Sequence, residues 1–267
     1  MTPARLTRQT RQRPAGAATK QAIMETMEAL VLALGRALGP DVEVVLHDLD
    51  RLPSSLVAIS NPLTGRTVGD PPTDLLLRDV RAGRFQDRYR YAGSSARGTR
   101  LRSSTLFIRD PNGLPIATLC INRDVTELAR LQKVLDRELH GAEAEPAEQA
   151  EQGRQEEPVT IAGPDGPPDA GAERTTESFA HGVPQLAELL IQRAIDDVGV
   201  PVELMKKPHK LLVVRDLEER GFFLIREAVE DAASALGVTR YTIYNYLNQL
   251  QSERDGAGPG AAPTKGP

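Results

Sequence analysis

Two apolar runs of this chain end in groups that could do acid–base or metal chemistry. Val42–His47 delivers an imidazole with the carboxylate of Asp48 behind it, and Ile116-Ala-Thr-Leu-Cys-Ile-Asn122 carries a thiol and an amide. The spacing does not complete a site. His47 lacks a second histidine or cysteine at ligand spacing, and His140, His181 and His209 are scattered over helix ends and the linker. Cys120 is the single cysteine, which excludes an intramolecular disulfide, and its apolar surroundings are those of an ordinary buried thiol. There is no glycine-rich phosphate loop, no carboxylate pair and no nucleophile motif. Gly65-Arg-Thr-Val-Gly69 is too short for a dinucleotide fingerprint and reads as a hairpin turn. No catalytic residue, metal or cofactor is expected, so the chain reads as one that binds rather than transforms.

A second group of residues is spaced for binding. Within Ala228–Leu247, Val229, Ala232, Ala233 and Leu236 share one face of a first helix, and Gly237 permits the positive φ of a sharp turn. Thr239 is the expected N-cap of a second helix, which turns Ile243 and Leu247 inward and leaves Arg240, Tyr241, Tyr244, Asn245 and Asn248 outside. This is a helix-turn-helix pattern, and its partner is double-stranded DNA. Thr239, Arg240, Tyr241, Thr242, Tyr244 and Asn245 are the expected contact residues, with Arg240 suited to guanine or phosphate and Asn245 to adenine. A plain helical hairpin has the same amphipathicity, but small residues at the crossing point and a polar outer face are less common in one.

The formal charge of −4 is at odds with DNA until it is located. Residues 1–20 hold five basic residues and no acid, whereas residues 141–177 hold 2 basic and 10 acidic ones. Most of the acidity therefore sits in one segment. Arg240 is the sole cation of the second helix, so phosphate neutralisation must draw on Lys206, Lys207, Lys210, Arg226 and the N-terminal arm, and a dimer is expected. No apolar run is long enough to span a membrane and no secretory signal opens the chain, which reads as cytoplasmic.

The elements that hold these residues fall into two folded units of a 267-residue chain. Residues 1–18 read as a disordered basic arm, 141–177 as an acidic flexible linker poor in large apolar residues, and 252–267 as a disordered tail. Residues 19–140 open with a helix stopped by Gly39-Pro40. Strands follow at Val42–His47, Leu56–Ser60, Thr105–Arg109 and Pro115–Ile121, the last two joined by the turn Asp110-Pro-Asn-Gly113, and a helix from Asp124 to about Glu138 closes the unit. Its apolar residues Val125, Leu128, Leu131 and Leu135 fit either core packing or a dimer contact. The order argues for an α+β domain on an antiparallel sheet. Residues 178–251 read as all-helical, with helices at Val183–Val198 and Pro208–Glu219 before the helix-turn-helix.

Leu38-Gly-Pro-Asp-Val-Glu-Val-Val-Leu-His-Asp-Leu49, Ile59-Ser-Asn-Pro-Leu-Thr-Gly-Arg-Thr-Val-Gly69, Leu101-Arg-Ser-Ser-Thr-Leu-Phe-Ile-Arg-Asp110 and Leu119-Cys-Ile-Asn-Arg-Asp124, with the stretch from Arg220-Gly-Phe-Phe to Tyr244-Asn-Tyr-Leu247, resemble one family. It is the YheO-like PAS family of bacterial transcription regulators, which join a PAS-like sensor to a C-terminal DauR-like helix-turn-helix. The likeness spans both folded units. One departure follows Asn61, where the family usually has Gly-His and Pro62-Leu63 stand here. The resemblance implies a ligand-responsive transcription factor. On a PAS-like sheet, His47, Asn61, Arg66, Ser103 and Asn122 would offer polar contacts to an unknown small-molecule effector, or else satisfy backbone groups at turns. A reading from another class is a metabolite-binding protein that docks on a protein partner without touching DNA. A third is a small-molecule enzyme using His47 and Cys120.

Overall fold

The computed structural model describes residues 16–95, 98–140 and 177–256. Helix α1 (Gly16–Leu38) is followed by strands β1 (Val42–Asp48) and β2 (Leu56–Ser60), helix α2 (Asp74–Arg81), strands β3 (Arg88–Ser94), β4 (Arg100–Arg109) and β5 (Pro115–Asp124), and helix α3 (Thr126–His140). A two-residue strand β6 (Glu177–Ser178) precedes α4 (Val183–Val198), α5 (Lys207–Glu219), α6 (Ala228–Ala235) and α7 (Arg240–Gly256). The sheet order is β2-β1-β5-β4-β3-β6, antiparallel throughout except for the parallel β3–β6 pair.

The period-2 alternation of β1 and β5 divides the sheet into two unlike faces. Val42, Val44 and Leu46 join Ala117 and Leu119 on the face covered by α1, where Met24 and Val31 complete an apolar core. Each large side chain fully withdrawn from water there contributes roughly 1.5–3 kcal/mol. Gly35 lets α1 approach the sheet, since a Cβ at that position would lie 2.0 Å from Ser60 Oγ. Glu43 and His47 of β1 lie on the other face with Thr118, Cys120 and Asn122 of β5 and Ser103 and Thr105 of β4, all buried. The segment from Thr64 to Arg81 lies over that face, and α2 is capped at its start by Thr73, whose hydroxyl accepts the Leu76 N–H.

Helices α4 to α7 enclose a second core around Leu186, Leu190, Val213, Leu217, Phe222, Leu236 and Ile243. Leu77 of α2 belongs to it, so the covering helix of the sheet is also a wall of the helical half.

Several expectations need correction. β3 and α2 were not foreseen: Arg88-Tyr-Arg-Tyr alternates arginine with tyrosine on a half-exposed strand, and α2 is only eight residues long. β4 begins at Arg100 rather than Thr105, because Leu101, Ser103 and Thr105 all turn inward and two of the three are polar. Gly65–Gly69 is no hairpin turn between strands; it leads from β2 towards α2, returning to Leu56 through the Gly69 N–H at 2.8 Å. Glu177, expected in the linker, and Ser178 pair in the short β6 with Gly93 and Ser94 of β3, ahead of the helical region. α1 begins within the expected N-terminal arm and α7 extends to Gly256, while residues 1–15, 141–176 and 257–267 lie outside the described residues.

Candidate nucleic-acid interface and buried polar cluster

α6 ends by wrapping its last carbonyls: the Gly237 N–H reaches Ser234 O at 3.2 Å and the Val238 N–H reaches Ala233 O at 2.9 Å, with Gly237 at φ 58. The Lys210 ammonium adds a hydrogen bond to Leu236 O at 2.6 Å. That contact engages one of the cations expected to meet phosphate, while Lys206, Lys207 and Arg226 remain exposed. Thr239 caps α7, its hydroxyl accepting the Thr242 N–H at 3.2 Å and lying 3.0 Å from Thr242 Oγ1.

α7 then sorts its side chains by period. Ile243, Tyr246 and Leu250 are buried and Leu247 is partly so, while Arg240, Tyr241, Tyr244, Asn245 and Asn248 face outward. Tyr241 is 74% exposed and Tyr244 54%, so two aromatic rings stand on a face left open among the described residues. Tyr246 is not evident as core from the sequence, where Leu247 beside it reads as the inward residue, but it falls three residues after Ile243 and completes the inward stripe. Arg240 is not free: its Nη1 pairs with Glu230 Oε1 of α6 at 2.6 Å. The guanidinium holds the Glu230 carboxyl below its ordinary range, chiefly through that hydrogen bond. Both groups are solvent-exposed, so salt and a competing phosphate weaken the pair easily.

The second cluster lies under α2. Glu43, fully buried, is its centre: Oε1 accepts from Asn122 Nδ2 at 2.8 Å and Arg66 Nη2 at 3.2 Å, and Oε2 accepts from the Thr64 N–H at 2.9 Å and Thr64 Oγ1 at 2.7 Å. Arg66 Nε donates to Thr64 Oγ1 at 3.1 Å, and the guanidinium carbon lies 4.8 Å from the centre of the Phe179 ring. A buried charge is tolerated only with such pairing. Glu43 is hidden in the sequence because one acid within an apolar run reads as part of the run; its position, two residues from Val45 and four from His47, is the available signal.

Of the expected effector residues, His47, Arg66, Ser103 and Asn122 share this side of the sheet. Asn61 does not. Its Nδ2 contacts Gly35 O at 2.9 Å, Gly39 O at 2.8 Å and Val42 O at 3.0 Å, tying the end of α1 to the strands, with the backbone at φ 52. His47 Nδ1 lies 2.9 Å from Ser55 Oγ; burial, then the charge of Arg66, pushes its pKa well below the ordinary value. Burial raises the Cys120 thiol to about 11, with Glu177 adding to the shift, so the group is a poor nucleophile at neutral pH. Tyr91 and Glu177 are likewise raised, mainly by burial. Thr105 Oγ1 sits between Tyr91 Oη at 2.8 Å and Cys120 Sγ at 3.6 Å. A cavity of ≈10 Å³ lined by Leu75, Leu76, Asp79, Tyr91, Thr105 and Glu177 lies beneath α2, room for about one water molecule.

A mixed α/β sheet domain with a buried polar face, followed by a helix-turn-helix with an exposed outer surface, is the architecture of a PAS domain joined to an HTH domain. Residues 18–140 match the YheO-like PAS domain and residues 186–248 match an HTH domain, so the chain carries a YheO-like PAS domain followed by a C-terminal HTH domain. Its relatives include an uncharacterised protein of Haemophilus influenzae, 27% identical, covering 88% of this chain and 94% of that one. They also include the uncharacterised protein YheO of Escherichia coli, 27% identical over 86% of this chain and 85% of that one. The transcriptional regulator DauR of Pseudomonas aeruginosa is 27% identical over 87% of this chain and 96% of its own length. No helix among the described residues is long and apolar enough to cross a membrane.

Proposed function

We propose that this protein is a cytoplasmic, homodimeric transcription regulator that reads duplex DNA through α7 and senses a small-molecule effector in its PAS domain. The observation that carries the reading is the outer face of α7. Thr239, Arg240, Tyr241, Tyr244 and Asn245 are exposed on a helix fixed by a glycine turn and a threonine cap, in an HTH domain whose relative DauR is a transcriptional regulator.

Sensing draws its support from α2. Leu75 and Leu76 line the space over the sheet, Leu77 enters the core of the helical half, and Asp74 and Arg81 pair with Arg193 of α4 and Glu218 of α5. An effector that favours one placement of α2 over another therefore shifts the helical half with it.

Dimerisation draws its support from α3, where Leu128, Leu131, Val134, Leu135 and Leu139 are each more than half exposed. Residues 1–15, 141–176 and 257–267 contain few large apolar side chains to cover them. A second copy of α3 supplies the missing partner: Leu128, Leu131 and Leu135 follow a heptad seam, and in a parallel pair Val134 flanks Leu139 of the other copy.

The ion pair that engages Arg240, the one cation in the N-terminal half of α7, favours a second reading, docking on a protein partner instead of DNA. Fluorescence anisotropy on the duplex upstream of the protein's own gene and on a scrambled duplex, each across a salt series, separates the two. Preference for the upstream duplex that persists as salt rises supports DNA recognition. Equal binding that vanishes with salt, on these and on a wider operator screen, supports docking.

A further inference from the structure

Part of the sensor face is occupied by the chain itself. β6 joins β3 through only Gly93 with Glu177 and Ser94 with Ser178, and it places the Glu177 carboxyl and the Phe179 ring over the polar side of the sheet, 3% and 4% exposed. Gly93 gives them room: a Cβ there would lie 3.1 Å from Ser103 Oγ and 3.6 Å from both Glu177 Oε2 and Phe179 Cε2. The fit is incomplete. Thr73 and Tyr91 hydrogen-bond the Glu177 carboxyl, but its Oε2 has no partner among the described residues, and neither do the buried Ser103 Oγ and Arg66 Nη1. The other donors of Arg66 are taken by Glu43 and Thr64, and its face by Phe179. Buried donors and acceptors of this kind are uncommon in folded proteins.

A carboxyl tethered to β6 has little freedom to turn towards these atoms; a free one can. We propose that this seat is a binding site for a small carboxylic acid with an apolar or aromatic body, which enters by exchanging with Glu177 and Phe179. Its carboxylate takes the Tyr91 and Thr73 donors and adds Arg66 Nη1 and Ser103 Oγ, a charge-assisted arrangement that Glu177 does not reach. Its body replaces the Phe179 ring against the Arg66 guanidinium. Exchange also reaches the helical half, because Ala180 is already buried in that core and α4 begins at Val183. The regulatory meaning of the exchange rests on the sensor reading above; the binding step does not.

The test uses the full-length protein and 3-phenylpropanoate as probe, with 3-phenylpropanamide as the uncharged control, followed by isothermal titration. Phe179→Ala opens the seat and is expected to bind the acid at least tenfold more tightly than the unaltered protein, with the amide at least tenfold weaker than the acid. Ser103→Ala, which keeps the seat closed, is expected to weaken acid binding severalfold. Should Phe179→Ala lose its circular dichroism, Phe179→Leu supplies the same comparison with a smaller gain. Acid and amide binding alike, or no variant binding the acid more tightly than the unaltered protein, overturns the proposal. DNA anisotropy on the same samples keeps the two readings apart. Acid bound with unchanged DNA affinity leaves the site standing and removes the sensor reading. DNA affinity altered by Phe179→Ala without preferential acid binding removes the site and leaves the sensor reading.

Discussion

Asp74, in the first turn of α2, is ion-paired with Arg193 of α4 across the seam between the sheet's covering helix and the helical half. At the other end of α2, Arg81 pairs with Glu218 of α5, and between them Leu77 enters the helical core. Gly221 makes the approach possible: it holds φ 79, and a Cβ there would lie 2.9 Å from Leu77 O. α2 is thus fixed to the helical half at both ends and in the middle, while its other side faces the polar cluster of the sheet.

The half-buried Asp74–Arg193 pair should contribute about 1–2 kcal/mol to stability, more than a surface pair and less than a fully buried one. Asp74→Asn and Arg193→Met are each expected to lower the urea midpoint, and the double variant to lose less than the sum of the two. Strict additivity in that cycle would mean that the pair does not couple the halves.

His47 makes stability depend on pH. Its folded pKa is depressed, so below the ordinary imidazole value of 6.5 the unfolded chain takes up a proton that the folded chain refuses. The contribution is complete above about pH 6.5 and is lost as pH falls towards the folded value. Urea midpoints measured from about pH 7 down to about pH 5 are expected to fall less steeply for His47→Gln than for the unaltered protein. Parallel slopes would assign the loss to other groups.

Asn61 is a structural residue on the α1 side of the sheet. Asn61→Ala removes three contacts to carbonyls and an αL-tolerant side chain, and is expected to cost about 2–3 kcal/mol. Asn61→Gly, which tolerates φ 52 but makes none of the contacts, should recover part of that loss in thermal unfolding. A loss under about 0.5 kcal/mol in Asn61→Ala would show that these contacts carry no net stability.

What could be read in the sequence was what periodicity and turn chemistry encode locally. The β4–β5 hairpin follows from Asp110-Pro-Asn-Gly113, α4 from its apolar period and its Pro at N1/N2, and the helix-turn-helix from Gly237 and Thr239. What could not be read depended on distant partners. Glu43 looks like an interruption of a strand until Thr64, Arg66 and Asn122 arrive around it, from 21, 23 and 79 residues away. β6 has two residues and no pattern of its own, and α2 becomes explicable only when both of its packing partners are present. Arg240 was legible as a cation, but its pairing with Glu230 depends on the angle between two helices.

The apolar stripe of α3 predicts an oligomeric state. Leu131→Glu with Leu135→Glu places acids at the centre of the seam on side chains already exposed in the single chain, so folding should survive while association does not. Sedimentation equilibrium is expected to give a dimer for the unaltered protein and a monomer for the variant. A variant that remains dimeric places the interface elsewhere.

DNA recognition by α7 is the central claim, and the most direct measurement is anisotropy of Asn245→Ala and Arg240→Ala on the protein's own upstream duplex and on a scrambled one at fixed salt. Each substitution is expected to weaken binding to the upstream duplex by roughly 1–3 kcal/mol and to leave binding to the scrambled duplex nearly unchanged, the signature of a base contact. Variants that bind the upstream duplex as tightly as the unaltered protein would contradict the account, because the outer face of α7 would then be turned to something other than DNA.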